Sequence, residues 1–250
     1  MKNIGIVGFG YVGQAVYNSL KTQELNIYIF DPDKGYENIL NMDIYIMPND
    51  ALFICVPTPQ LESGESNILI IDEILNHLSI ISYNGLVIIK STVESKYFEE
   101  EYQDLNIVYQ PEFLNELTYL EDFKNQTSIV MGGKLIDTKK AQLLYRDIFE
   151  FNNEVKYNLV SAKVAMDFKY ARNIKNALNV IYWNMVEDIF RNQDQIALLM
   201  RDMPTNELDN IHHKGYRGYG GSCLPKDTKH IDNQYNNILI KAIVDYNKTL

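Results

Sequence analysis

The sequence predicts an α/β protein: a doubly wound, mainly parallel sheet followed by a long helix and a small helical region. Three observations lead there. Short runs of unbroken apolar residues recur along the first half of the chain, which is how strands covered by helices on both faces read. The first run passes through a glycine turn straight into a helical pattern, and a second run follows within about 30 residues, the size of a βαβ unit. After about residue 155 the short runs stop, and residues 161–191 carry apolar side chains at helical spacing with no Gly or Pro to interrupt them.

Taken in order, residues 3–7 form the first strand, and residues 14–20 form a helix after the turn Gly8-Phe-Gly-Tyr-Val-Gly13. Residues 27–30 form a second strand ending at Asp31. Residues 52–56 are a third, ending in Pro57-Thr-Pro59, and residues 68–78 have helical spacing. Residues 86–89, 106–109 and 128–131 are strands closed by Lys90-Ser-Thr, Gln110-Pro-Glu-Phe-Leu and Gly132-Gly133. The long helix over 161–191 is followed by shorter helical stretches, a glycine-rich segment from Lys214 to Asp227, and an amphipathic stretch over 238–244. The expected division is a nucleotide-binding domain over 1–155 and a central helical region over 156–250.

Bulk properties narrow the function. A formal net charge of -10 argues against a broad nucleic-acid surface, which needs clustered Lys and Arg to displace counterions from phosphates. No apolar run reaches the ~20 residues that span a bilayer, and the first residues resemble a strand rather than a signal segment. A cytoplasmic protein with no membrane partner is expected. The two cysteines, Cys55 and Cys223, lie far apart without metal-ligand partners at zinc spacing, so free thiols and no metal are expected.

The glycine turn sits where strand becomes helix. Gly8 permits the tight turn, Gly10 lets the backbone approach a pyrophosphate, and Gly13 packs helix on strand. Phe9, Tyr11 and Val12 complete a loop whose N–H groups and helix dipole face the phosphates. Asp31 closes the next strand about 20 residues on, where a carboxylate accepts from ribose hydroxyls. Such a carboxylate favours NAD over NADP, with Lys34 as a neighbouring cation. This makes the first domain Rossmann-like.

Lys90-Ser-Thr-Val, Pro111-Glu-Phe-Leu-Asn-Glu116 and Gly218-Tyr-Gly-Gly-Ser-Cys-Leu-Pro-Lys-Asp227 make the reading specific. With Val56-Pro-Thr-Pro and the Lys169 and Asn173 pair, they resemble the UDP-glucose and GDP-mannose dehydrogenase family, in the family's order from residue 1 onward. The glycine-cysteine segment is the most specific of them, and it resembles the UDP-glucose branch.

The resemblance implies NAD-dependent oxidation of a sugar C6 alcohol to a uronic acid, through a thiohemiacetal and a thioester on a cysteine. UDP-glucose is the implied substrate, and UDP-glucuronate for polysaccharide biosynthesis the implied product. Cys223 matches the nucleophile; the chemistry suits a thiol that traps an aldehyde covalently, with Lys226 and Lys214 nearby to favour the thiolate. Lys169 and Asn173, four apart on the long helix, match donors to the sugar oxygen, an oxyanion role worth ~3 kcal/mol per donor. Glu112 and Glu116 match two glutamates, one acting as acid or base and the other contacting ligand. Thr92 matches a threonine that positions water, and Asp227 an aspartate near the cysteine that acts in proton transfer or water activation.

Cofactor contacts are implied for Val56, Pro57, Thr58, Ser91, Thr92, Glu116 and Lys226. Substrate contacts are implied for Glu112, Phe113, Leu114, Lys169, Asn173, Tyr219 and Gly220, with Lys214 and Arg217 expected on the diphosphate. The resemblance also implies a homodimer through the long helix and, because relatives continue beyond this length, a chain lacking their C-terminal UDP-binding domain. Two alternatives stand beside this reading: a non-catalytic NAD-binding or regulatory module, and a dehydrogenase for another nucleotide sugar.

Overall fold

The protein is described by a computed structural model over residues 2–21, 24–41, 50–59, 61–62, 66–93, 102–202, 219, 225, 228–229, 232–233 and 236–249. Among these residues one seven-stranded sheet contains β1 (Lys2–Val7), β2 (Leu25–Phe30), β3 (Ala51–Ile54), β4 (Leu86–Ile89), β5 (Asn106–Tyr109), β6 (Ser128–Gly133) and β7 (Lys156–Val160), in the order β2-β1-β3-β4-β5-β6-β7. The helices are α1 (Tyr11–Ser19), α2 (Leu69–Ile80), α3 (Tyr119–Lys124), α4 (Leu135–Ile148), α5 (Ala162–Phe190), α6 (Gln193–Asp202) and α7 (Ile238–Asn247). The sheet is doubly wound and mainly parallel. Its first five strands run the same way, β6 pairs antiparallel to β5, and β7 runs parallel to β6.

The register explains where a site can form. Phe30, Val7, Ile54, Ile89 and Tyr109 are direct partners across adjacent strands. The residues that leave this row at the carboxyl edge are therefore Asp31, Gly8, Cys55, Lys90 and Gln110. Open α/β sheets bind ligands outside this edge.

Side-chain alternation divides the core between the two faces of the sheet. On one face Leu52, Ile54, Val87, Ile89 and Tyr109 pack with Ile71, Leu75 and Leu78 of α2 and with Ala165 and Met166 of α5. On the other, Phe53, Ile88, Val108 and Met131 pack with Ala15 and Val16 of α1, Phe123 of α3, and Leu144 and Tyr145 of α4. Nearly all of these are fully buried, and each large one contributes about 1.5–3 kcal/mol on leaving water. Neither α4 nor β7 is evident from the sequence pattern. Helix α4 carries the adjacent pair Lys139 and Lys140 and begins its buried row with the polar Asp137 and Thr138, and β7 is a half-buried edge strand.

The chain divides into two compact units, Met1–Arg172 and Asn173–Leu250. The second has its own small core of Met185, Val186, Ile240 and Val244, against which Tyr182, Trp183 and Ile196 pack. Asn237 caps α7, its side chain accepting from the Leu239 and Ile240 N–H groups. Among the described residues no helix is long and apolar enough to cross a membrane.

Candidate active site and cofactor cradle

The glycine loop is held from several directions. Gly8 has φ +86°, and a Cβ there would lie 2.7 Å from the Cys55 carbonyl oxygen, so both backbone conformation and space require glycine. A Cβ on Gly13 would come within 2.1 Å of the Gly8 carbonyl oxygen. Gly10 differs. Its φ of -70° is open to any residue, and, its chain neighbours apart, no atom of the described residues lies within 4 Å of where its Cβ would be. Nothing among the described residues requires glycine there; the open space suits a ligand that approaches the backbone at the N-terminus of α1.

Asp31 fastens the loop to the end of β2, its Oδ2 accepting from the Phe9 N–H at 2.7 Å. The Phe9 carbonyl accepts from the Lys34 ammonium and from Gln14 Nε2, and the Phe9 ring meets Tyr17 and Tyr36 edge-on at 5.6 and 5.4 Å. These residues fit a dinucleotide: open glycine backbone, a free helix N-terminus, and a carboxylate beside the loop. Tyr11 is exposed and Val12 half-buried at the start of α1. Beside the loop, Ser91 Oγ donates to the Val56 carbonyl at 2.7 Å, leaving Pro57 exposed and Thr58 and Thr92 half-buried.

Next to the cradle lies a buried polar cluster that the sequence reading did not identify. Leu86 and Ile88 point toward α4, and alternation carries Lys90 to the same face one residue past the end of β4. Val108, Gln110 and Glu112 do the same from β5. The Lys90 ammonium donates to Glu112 Oε1 and Gln110 Oε1, with side-chain exposures of 0% for Lys90 and 7% for Glu112. Tyr145 of α4 donates its hydroxyl to Gln110 Oε1 at 2.8 Å. Burial, with Glu112 as a second cause, holds the Tyr145 pKa well above its usual 10, so the phenol stays a donor. Cys55 borders this cluster; burial pushes its thiol up to about 12, which marks it as inert. The available sequence signal was a period of two, since Leu86, Ile88 and Lys90 form one row.

The main chain of Glu112 faces α5. The Lys169 ammonium donates to the Glu112 carbonyl and stands 4.7 Å from the centre of the Phe113 ring, while the Arg172 guanidinium stands 4.0 Å from it. Phe113 also meets Phe168 edge-on at 5.4 Å. Burial lowers the Lys169 pKa from 10.5; Glu112 acts to raise it and Arg172 to lower it further. Leu114 is half-buried and Glu116 exposed.

The first unit thus brings Gly8, Gly10, Gly13, Asp31, Lys34, Val56, Ser91, Thr92, Glu112 and Lys169 to one sheet edge. Asn173 is exposed on α5 in the second unit. In that unit the Tyr219 N–H donates to Asn247 Oδ1 at 2.7 Å. Lys214, Arg217, Gly220, Cys223, Lys226 and Asp227 lie outside the described residues. No group of three or more potential metal ligands occurs among the described residues.

Comparison with known proteins gives a consistent result. The UDP-glucose/GDP-mannose dehydrogenase family, NAD binding domain, matches residues 37–150, and the same family's central domain matches 163–249. The first match begins beyond the glycine loop, so the loop's assignment rests on its own geometry. A UDP-glucose 6-dehydrogenase of Campylobacter jejuni is 28% identical over 98% of this chain and 72% of its own length. One from Rickettsia conorii is 26% identical over 98% of this chain and 66% of its own. The chain thus spans about two thirds of such relatives. A crystal structure of a ternary complex of GDP-mannose dehydrogenase from Pseudomonas aeruginosa shares the fold, with TM-score 0.76 and 19% identity over 98% of this chain and 68% of that one.

Proposed function

Because the chain belongs to the UDP-glucose/GDP-mannose dehydrogenase family and its cofactor is NAD, we propose that it oxidises the C6 alcohol of a nucleotide sugar, UDP-glucose, to the uronic acid. The glycine loop would hold NAD, which supplies the hydride acceptor, and the full oxidation consumes two NAD in turn, one hydride to each. Lys169 and Asn173 donate hydrogen bonds to the sugar oxygen as negative charge develops on it. The Cys223 thiol adds to the aldehyde, forming a C–S bond, and holds the carbon through the second oxidation as a thioester. Water positioned by Thr92 and Asp227 then attacks the thioester, breaking the C–S bond and returning the thiol. Of Glu112 and Glu116, one acts as acid or base around the hydrolysis and the other contacts ligand, and Lys214 and Arg217 bind the diphosphate.

The observation that carries this reading is the placement of the Lys169 ammonium on the Glu112 carbonyl, on the same sheet edge as a glycine loop open at Gly10. A partly dehydrated ammonium gains most from an oxygen that becomes anionic, which is what alcohol oxidation provides. We also propose a homodimer, supported by the stripe of Ile174, Leu178 and Ile181 along α5, exposed by 60, 55 and 50%.

The test is NADH formation by the purified chain with NAD and UDP-glucose. The proposal expects two NADH per sugar, abolished by Cys223→Ala, and a mass by light scattering twice that of the chain. NAD binding without turnover on UDP-glucose or other nucleotide sugars would replace it with a binding module.

A further inference from the structure

The chemistry proposed above leaves one buried cation unused. Lys90 lies among apolar rings, its ammonium 5.2 Å from the centre of Phe123 and 6.0 Å from that of Tyr145, and its side chain has no solvent exposure. Its partners are fully engaged. Gln110 Oε1 accepts from both Lys90 and Tyr145, Gln110 Nε2 donates to the Pro111 carbonyl at 2.9 Å, and Glu112 Oε2 accepts from Gln126 Nε2 at 3.4 Å.

Stability alone does not account for this arrangement. Replacing a buried ion pair with apolar residues of similar size is often neutral or stabilising, and a leucine or methionine at 90 would simply extend the row of Leu86 and Ile88. The pair does something else: it clamps the side chain of the residue whose carbonyl receives Lys169. Glu112 is thereby held at both ends, by Lys90 through its carboxylate and by Lys169 through its main chain.

We propose that Lys90 is a positioning residue for the oxidation, acting on Lys169 through Glu112. Locking the Glu112 carboxylate fixes the orientation of its carbonyl, and that carbonyl sets where the Lys169 ammonium stands when the sugar oxygen arrives. The Glu112 carboxylate is then engaged in holding the site, while Glu116, exposed to solvent four residues later, is the carboxylate in reach of water. The inference rests on the functional reading above.

A kinetic double-mutant cycle on the full chain tests it. Lys90→Met, Lys169→Met and the double variant are compared for kcat with NAD and UDP-glucose, for NAD affinity by calorimetry, and for melting temperature. Lys169→Met is expected to lower kcat ~100-fold, the scale of one lost oxyanion donor. Lys90→Met should lower it roughly 10-fold or more while NAD affinity stays within about twofold. Because both act through one ammonium, the double variant should be within about threefold of Lys169→Met.

Losses that multiply in the double variant, or a folded Lys90→Met with unchanged kcat, would overturn the proposal. Lys90→Gln, which keeps a donor, serves the same comparison if the methionine variant does not fold. An unmodified chain that turns over no nucleotide sugar would instead remove the functional reading, and the role of Lys90 in turnover with it.

Discussion

Replacing Gly10 and Gly13 in turn by alanine separates the two demands on the glycine loop. At Gly10 the backbone already has φ -70° and an added methyl meets, its chain neighbours apart, no atom of the described residues within 4 Å. Lowering the entropy of the unfolded chain contributes about 0.4–1 kcal/mol, and a poorer helix N-cap costs about as much. These offset, so the melting temperature should move by less than ~3 °C, given about 2–4 °C per kcal/mol for a chain this size. The methyl does fill space at the N-terminus of α1, so NAD affinity should fall at least ~10-fold, or ~1.4 kcal/mol. At Gly13 the methyl would lie 2.1 Å from the Gly8 carbonyl oxygen and 3.3 Å from Ile6 Cγ2. Backbone cannot retreat cheaply, and overpacking costs about 1–3 kcal/mol, or roughly 2–12 °C. Thermal melts with and without NAD, together with calorimetry, read both quantities. Wild-type NAD affinity in a folded Gly10→Ala would refute the assignment of this loop as the cofactor cradle.

Three further outcomes are expected. The lowered Lys169 pKa means that the folded chain binds fewer protons there than the unfolded chain between the lowered value and 10.5, so its destabilising effect fades as pH rises through that window. The melting temperature of the wild type relative to Lys169→Met should therefore climb from neutral to alkaline pH, and a flat or falling difference would contradict the burial. With the Cys55 thiol pushed up to about 12, iodoacetamide at neutral pH should label the native chain at Cys223 alone, as peptide mass mapping would show. Tyr145→Phe removes the 2.8 Å bond to Gln110 and should cost about 1 kcal/mol, seen as a melting temperature lower by about 2–4 °C.

Much of the fold was legible because its strands obey one simple rule. Leu52 and Ile54 on one face with Phe53 on the other, and Val87 and Ile89 with Ile88, make these strands apolar on both sides, which only strands sandwiched by helices tolerate. The glycine loop and Asp31 were legible because their spacing is local. β7 was missed because Lys156–Val160 is a half-buried edge strand without such a run. The antiparallel turn of β6 has no signature in a short apolar segment, whose direction is set by its partners.

At the site, Glu112, Lys169 and Thr92 were named from the resemblance to a family, whereas Lys90, Gln110 and Tyr145 were not assigned a role. Their meaning depends on pairings across 20 to 35 residues, and no local pattern reports these. A lysine one step beyond a strand end reads as solvent-exposed until α4 is seen to cover it.

β5 meets β6 only through Val108 with Gly133 and Tyr109 with Gly132, and glycine adds no cross-strand side-chain contact. The same Gly132 lets α5 approach closely, since a Cβ there would lie 2.5 Å from that of Ala165. Helix α5 therefore straddles this line, seated on Gly132 of β6 and, through Ala165 and Met166, on the face formed by β3, β4 and β5. A seam with so few rungs is where the sheet should breathe first, and β6–β7 amides should exchange with deuterium sooner than those of β1 and β3. Opening along this line would loosen one side of the seat of α5, while the Glu112 carbonyl past β5 still holds the Lys169 ammonium and the glycine loop stays folded.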